Sequence, residues 1–222
     1  MSGKLIVFEG TDGSGKATQT ELLYRELERR GIPCRRLTFP RYEEDSSALI
    51  RLYLGGAFGN RPDDVNAYAA ATFFAVDRYA SYKQDWGEFY RAGGLLVADR
   101  YTTSNAVHQT VKLPDAERRA FLDWLFDFEY RLLGLPSPTR VLYLDIPTDI
   151  TEQMMRRRER ETNTQADIHE RDDAYLRQCR ENAAFVTEYC GWTRIDCTAG
   201  GELRTAEDIH GEVMEKIADL LS

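Results

Sequence analysis

The chain has 222 residues, 42% of them apolar and 30% charged, with 37 acidic side chains against 29 basic ones and a net charge of −8. That length predicts a single domain, 1–222, with a sizeable core, and no run approaches the roughly 20 apolar residues of a membrane span. The acidic balance argues against nucleic-acid and anionic-membrane partners, so a polyanionic ligand would need a local cluster of cations.

The N-terminus is expected to enter a strand directly, about Lys4 to Phe8, with no signal peptide. Gly10-Thr11-Asp12-Gly13-Ser14-Gly15-Lys16 joins that strand to a helix, about Lys16 to Arg30. Gly, four residues, Gly-Lys is the spacing of a phosphate-cradling loop. Its glycines let successive backbone N–H groups turn inward, and the helix start adds unpaired donors and a positive dipole end. Lys16 brings a compact cation to the β- and γ-phosphates. Ala17 stands where Ser or Thr would offer Mg²⁺ a hydroxyl, and Thr18 is expected to point elsewhere. The metal must then be held by other groups or through water.

Gly31 reads as the residue that closes the first helix, with Pro33 after it. A second strand, about Cys34 to Thr38, leads into Phe39-Pro40-Arg41-Tyr42. Ser46 to Leu54 reads as a short helix broken by Gly55-Gly56. Asp63 or Asp64 is expected to cap a long helix, about Val65 to Gln84, with a further helical piece from about Asp85 to Ala92. Leu95 to Ala98 is a third strand, ending in Asp99-Arg100-Tyr101. Helices are expected at about Thr103 to Thr110 and Asp115 to Leu133, before Pro136 and Pro138. Val141 to Leu144 is strand four, ending at Asp145. A charged helix, about Thr148 to Arg160, precedes a polar loop, Glu161 to Asp167. Helix is expected again from about Asp172 to Tyr189, then strand five, Trp192 to Cys197. Thr205 to Asp208 resembles a capping box opening a last helix to about Leu220.

Short apolar strands thus alternate with helices five times, which predicts a parallel sheet with helices on both faces. Ligands of such sheets sit beyond the carboxyl ends of the strands. Those ends carry the glycine loop, Arg41-Tyr42, Asp99-Arg100-Tyr101, Asp145 and Thr198. Asp99 can reach a metal beside the loop through water, and Arg100 can clamp a phosphate bidentately. Arg41 is suited to a second anionic group, although a solvated loop arginine fits that stretch equally well. Phe74 and Arg78, four apart on one helix face, could stack on a base and donate to its carbonyl; taken alone, the pair reads more readily as core. Ser104, Asn105 and His108 share a face that could read a base edge and sugar. Arg156, Arg157, Arg158 and Arg160 are either a solvated face or a mobile lid that brings a guanidinium to a transferring phosphoryl group. Cys34, Cys179, Cys190 and Cys197 lack zinc-site spacing and read as reduced thiols of a cytosolic protein.

Together these stretches resemble the thymidylate kinase family over nearly the whole chain. The resemblance rests on Phe8 to Gln19, Phe39-Pro40-Arg41-Tyr42, Phe74 with Arg78, Asp99 to Asn105 ending at Gln109, and the Arg-rich lid around 156–170. It implies an α/β three-layer sandwich of P-loop NTPase type, with a five-stranded parallel sheet flanked by helices. It also implies transfer of the γ-phosphoryl of ATP to dTMP with Mg²⁺, a homodimer, and a cytoplasmic role in dTTP synthesis. By resemblance, Gly10, Asp12, Gly13, Ser14, Gly15, Lys16, Ala17 and Thr18 hold ATP, and Asp99 positions the metal. Asp12 binds the 3′-hydroxyl of dTMP; Arg41 and Arg100 clamp its phosphate, with Phe39 and Tyr42 alongside. Phe74 stacks on thymine and Arg78 donates to its O4, while Ser104, Asn105, His108 and Gln109 line the pocket. Lys16, Asp99, Arg100 and the lid's Arg156 and Arg160 are the catalytic set. Three positions depart from the family pattern: Gly13 stands where some members carry an arginine, His108 where an aromatic is usual, and Asp167-Ile168-His169-Glu170 where an Asp-Arg start is usual. The remaining alternatives are a deoxynucleoside kinase, another nucleoside monophosphate kinase, or a non-catalytic nucleotide-binding paralogue. A second phosphate clamp argues against the first of these.

Overall fold

The computed structural model describes residues 3–147, 149–151, 154, 168–169 and 173–221. Arg156, Arg157, Arg158, Arg160 and the polar loop, expected to form the lid, lie outside the described residues.

Five strands form one parallel sheet: β1 (Lys4–Glu9), β2 (Cys34–Thr38), β3 (Leu95–Asp99), β4 (Arg140–Asp145) and β5 (Thr193–Asp196), in the order β2-β3-β1-β4-β5. β1 is central, with Phe8 opposite Asp99 on one side and Leu142 on the other. Leu5, Ile6, Val7 and Phe8 are fully buried, as expected of a strand covered on both faces. On one face Ile6 and Phe8 pack with Leu23 and Leu27 of α1 (Lys16–Arg29) and with Val213 of the C-terminal helix Ala206–Lys216. On the other, Leu5 and Val7 pack with Trp86 and Tyr101. These layers make the three-layer α/β sandwich. Thr205 accepts from the Asp208 N–H at 3.1 Å, so the expected cap opens the last helix.

The long helix differs from its sequence reading. Its cap is Asn66, not Asp63 or Asp64: the Asn66 side chain accepts from the Ala69 N–H, and α3 runs Ala67–Ser81. Asp63 and Asp64 lie in a 3₁₀ turn, where Asp64 accepts from the Arg61 N–H. A π-helical turn, Tyr82–Trp86, carries α3 directly into α4 (Gly87–Arg91). A second π turn, Asp127–Leu132, replaces the last part of the helix expected to reach Leu133, so α6 is Asp115–Phe126. α5 is Thr102–His108, and α2, Ala48–Leu54, follows a 3₁₀ turn. Helix α7 is Asp173–Cys190, and the Ala206–Lys216 helix is α8. A small hairpin, Thr198–Ala199 with Glu202–Leu203, follows β5 and had no counterpart in the sequence reading. All four cysteines are free thiols.

Candidate active site

The site forms where β1 and β3 end side by side. The glycine loop leaves β1 at Gly10, whose φ of 156° and close approach to the Leu144 carbonyl (2.9 Å from an added Cβ) leave no room for a side chain. Gly15 caps α1 at φ 82°, a left-handed position glycine adopts without strain. Lys16 folds back over the loop, and its Nζ donates to the carbonyls of Gly10 and Thr11, both at 2.8 Å. Burial lowers its pKa, Arg100 lowers it further, and it falls to about 8. Ser14 Oγ is buried and unpartnered within the same loop. A buried hydroxyl with no protein partner in a glycine loop suits an incoming phosphate oxygen.

Arg100 is the second centre. It occupies the left-handed region at φ 66°, unusual for a residue with a Cβ, and its N–H is tied to the Phe8 carbonyl at 3.1 Å. Such strain costs on the order of 1–3 kcal/mol and persists only where the surroundings enforce it. Glu9, fully buried at the end of β1, braces the Arg100 side chain. It accepts from the Gly10 N–H at 3.0 Å, Thr103 Oγ1 at 2.7 Å and Ser104 Oγ at 2.8 Å, and lies 3.7 Å from the Arg100 guanidinium. Arg100 also pairs with Asp12. Burial alone would raise the Asp12 carboxyl, but Arg100 and Lys16 outweigh it and hold it well below the usual carboxylate range. Burial works against the charge of Arg100 in turn, and Asp12, Glu9 and Asp99 more than offset it. Arg100 and Asp12 therefore form an ionised pair at neutral pH.

Arg41 is held by Asp77, at 2.9 Å through its N–H and 3.3 Å through Nε, and by Ser46 at 3.1 Å, while Tyr42 lies exposed beside it. Phe74 packs edge-on to Tyr53 at 6.5 Å. Asn105 and Arg78 meet at the buried carboxylate of Glu129. Phe39 is 4% exposed and packs on Tyr101 at 5.9 Å, at the start of the turn that carries Arg41. Ser104 donates its hydroxyl to Glu9 at 2.8 Å and accepts from Arg100 Nη1 at 3.2 Å. Burial and then Arg100 push the His108 pKa down to about 3, so the ring is neutral. It lies 3.5 Å from both Arg100 Nη1 and Cys179 Sγ. Gln109 is buried with Oε1 unpartnered. Of the unusual segment 167–170, Ile168 and His169 are described; both are buried on α2, with the Ile168 N–H on the Leu54 carbonyl and His169 Nε2 2.7 Å from Tyr53 Oη.

Glu9, Asp77 and Glu129 were missed by the sequence reading. Each is an acid at a position whose spacing calls for an apolar residue. Glu9 ends a buried strand, Asp77 interrupts an apolar helix, and Glu129 continues the buried face of Leu122 and Leu125. That misfit was the available signal.

A family profile described as Thymidylate kinase matches residues 8–208. The chain belongs to the thymidylate kinase family. It is 33% identical over 184 residues to a thymidylate kinase of Mycobacterium tuberculosis, covering 82% of this chain and 84% of that one. It is 28% identical over 226 residues to a putative thymidylate kinase of Aeropyrum pernix, covering 98% and 97%. A solved thymidylate kinase structure from Candida albicans has the same fold, with a TM-score of 0.71 at 19% identity over 98% of this chain and 92% of that one. The parallel sheet with the glycine loop at its centre is thus the thymidylate kinase architecture.

Proposed function

We infer that this thymidylate kinase transfers the γ-phosphoryl of ATP to dTMP, giving dTDP and ADP, as a step of dTTP synthesis. The observation that carries this reading is the pair of cation centres at the carboxyl end of the sheet: Lys16 in the donor loop, and Arg100 with Arg41 on the acceptor side. A nucleoside acceptor would need a carboxylate base and only one phosphate clamp. The acceptor here is a phosphate, whose second pKa is about 6, so its attacking oxygen is already ionised at neutral pH. The protein's task is to hold two anions in line and dry while charge is neutralised.

In this reading Lys16, the loop amides and Ser14 hold the ATP phosphates. Arg100 and Arg41 clamp the dTMP phosphate, and Asp12 takes the 3′-hydroxyl. Phe74, Arg78, Asn105 and Gln109 form the base pocket, with His108 at the sugar. Arg156 and Arg160 of the lid around 156–170 complete the set, and 1–222 is one catalytic unit. The donor set suits Mg²⁺ held through water. Asp99 is half-buried and close enough to Lys16 to raise its pKa, the Glu9 carboxylate is filled by protein donors, and Ala17 offers no ligand. When bound, Mg²⁺ neutralises charge on the ATP phosphates.

A panel of monophosphates scored by coupled ADP release is expected to give Mg²⁺-dependent turnover with dTMP and little with thymidine. Equal rates with thymidine would refute the acceptor. A cytoplasmic location fits the four free thiols. A homodimer fits the exposed Tyr68, Val76 and Tyr79, which share one face of α3. Light scattering is expected to report twice the chain mass, falling to one chain mass on Val76→Glu with Tyr79→Glu.

A further inference from the structure

Glu129 is 0% exposed, and the π turn after α6 carries it to the interior. Four donors converge on its carboxylate. Arg78 gives Nε at 2.7 Å and Nη2 at 2.5 Å, Thr102 gives Oγ1 at 2.7 Å, and Asn105 gives Nδ2 at 3.4 Å. An ionised carboxylate offers about four lone-pair sites, so this one is saturated and acts only as an acceptor. For Arg78 the consequence is directional: the guanidinium is planar, so fixing its Nε–Nη2 edge fixes where its remaining N–H groups lie, with Nη1 turned to the Tyr101 carbonyl at 3.5 Å. For Asn105 the consequence is polarity. Its Nδ2 also donates to the Ala71 carbonyl at 3.1 Å. Both neighbours are acceptors, so the amide cannot reverse, and Oδ1 is left as the acceptor face. Ala71, Phe74 and Arg78 lie three and seven positions apart along one face of α3.

We propose that Glu129 is a positioning residue for base recognition. Its buried carboxylate fixes Arg78 as a donor and Asn105 as an acceptor, a pattern that matches O4 and N3–H of a 4-oxo pyrimidine. A 4-amino pyrimidine presents the opposite pattern, an N4 donor and an N3 lone pair, and is refused. The inference rests on dTMP being the acceptor and specifies how its base is told from cytosine.

Kinetics with dTMP, dUMP and dCMP on wild type, Glu129→Gln and Glu129→Asp test it. Asp keeps the charge, and so the fold, but draws the carboxylate back by one methylene. Both variants are expected to raise the KM for dTMP and dUMP about tenfold or more while the KM for ATP is unchanged. The preference for dTMP over dCMP in kcat/KM should narrow by a similar factor. Melting curves show which variants are folded, and Glu129→Asp decides the matter if Glu129→Gln is not. A folded variant that keeps the wild-type preference refutes the role of Glu129. A wild type that prefers dCMP refutes instead the reading of the substrate, and with it the donor–acceptor pattern.

Discussion

Lys16→Ala is expected to lower kcat about 10³-fold or more while leaving dTMP affinity largely unchanged, because it removes the donor-side cation and nothing on the acceptor side. Isothermal titration with dTMP and single-turnover ADP release separate the two effects. Full turnover in the variant would remove the loop from the mechanism. The same side chain sets an alkaline limit. Burial and then Arg100 bring its pKa from 10.5 down to about 8 in the free protein, so the cation that meets ATP is lost as pH rises through 8. kcat/KM for ATP is therefore expected to fall above that pH. Bound phosphate favours the charged ammonium, so kcat holds to higher pH. The stability effect has the opposite sign. Between pH 8 and 10.5 the unfolded chain holds more protons on Lys16 than the folded one, so the cost of burying this ammonium is relieved as pH rises across that window.

Arg100→Met is the second large loss: kcat/KM for dTMP is expected to drop by about 10²–10³. Lysine is not expected to rescue it, since a point charge cannot reproduce a planar fork braced by Glu9 and Asp12. The variant also removes the strongest attraction that keeps Asp12 ionised, while burial, which raises that carboxyl, remains. The acid limb of the pH profile should thus move to higher pH. An Arg100→Lys enzyme with wild-type kcat/KM would show that the clamp is not bidentate.

The sequence made the frame legible for a simple reason. Fully buried parallel strands are continuous apolar runs, and the loop between β1 and α1 needs glycine at fixed spacings. Arg41, Asp99 and Arg100 could be found because strand ends locate them. What stayed hidden depends on partners distant in the chain. Arg78 reads as an ordinary helical arginine until Glu129, 51 residues on, is brought against it. The hydroxyl of Ser104 gives no hint in sequence of its bond to Glu9, 95 residues back. The two π turns escaped because they preserve helical composition while shifting phase, and the Asn66 cap because two aspartates just upstream are equally good candidates.

The central place of β1 also constrains the order in which the protein can be made. Its neighbours on either side are residues 95–99 and 140–145, so one flank does not exist until residue 99 is made and the other not until residue 145. At ribosomal rates of about 5–20 residues per second, the first strand waits roughly 7–30 s for both. Until residue 99 is made its four apolar side chains have no strand to pair with. The central strand is therefore paired on both sides only through contacts distant in sequence, which are the slow ones to form.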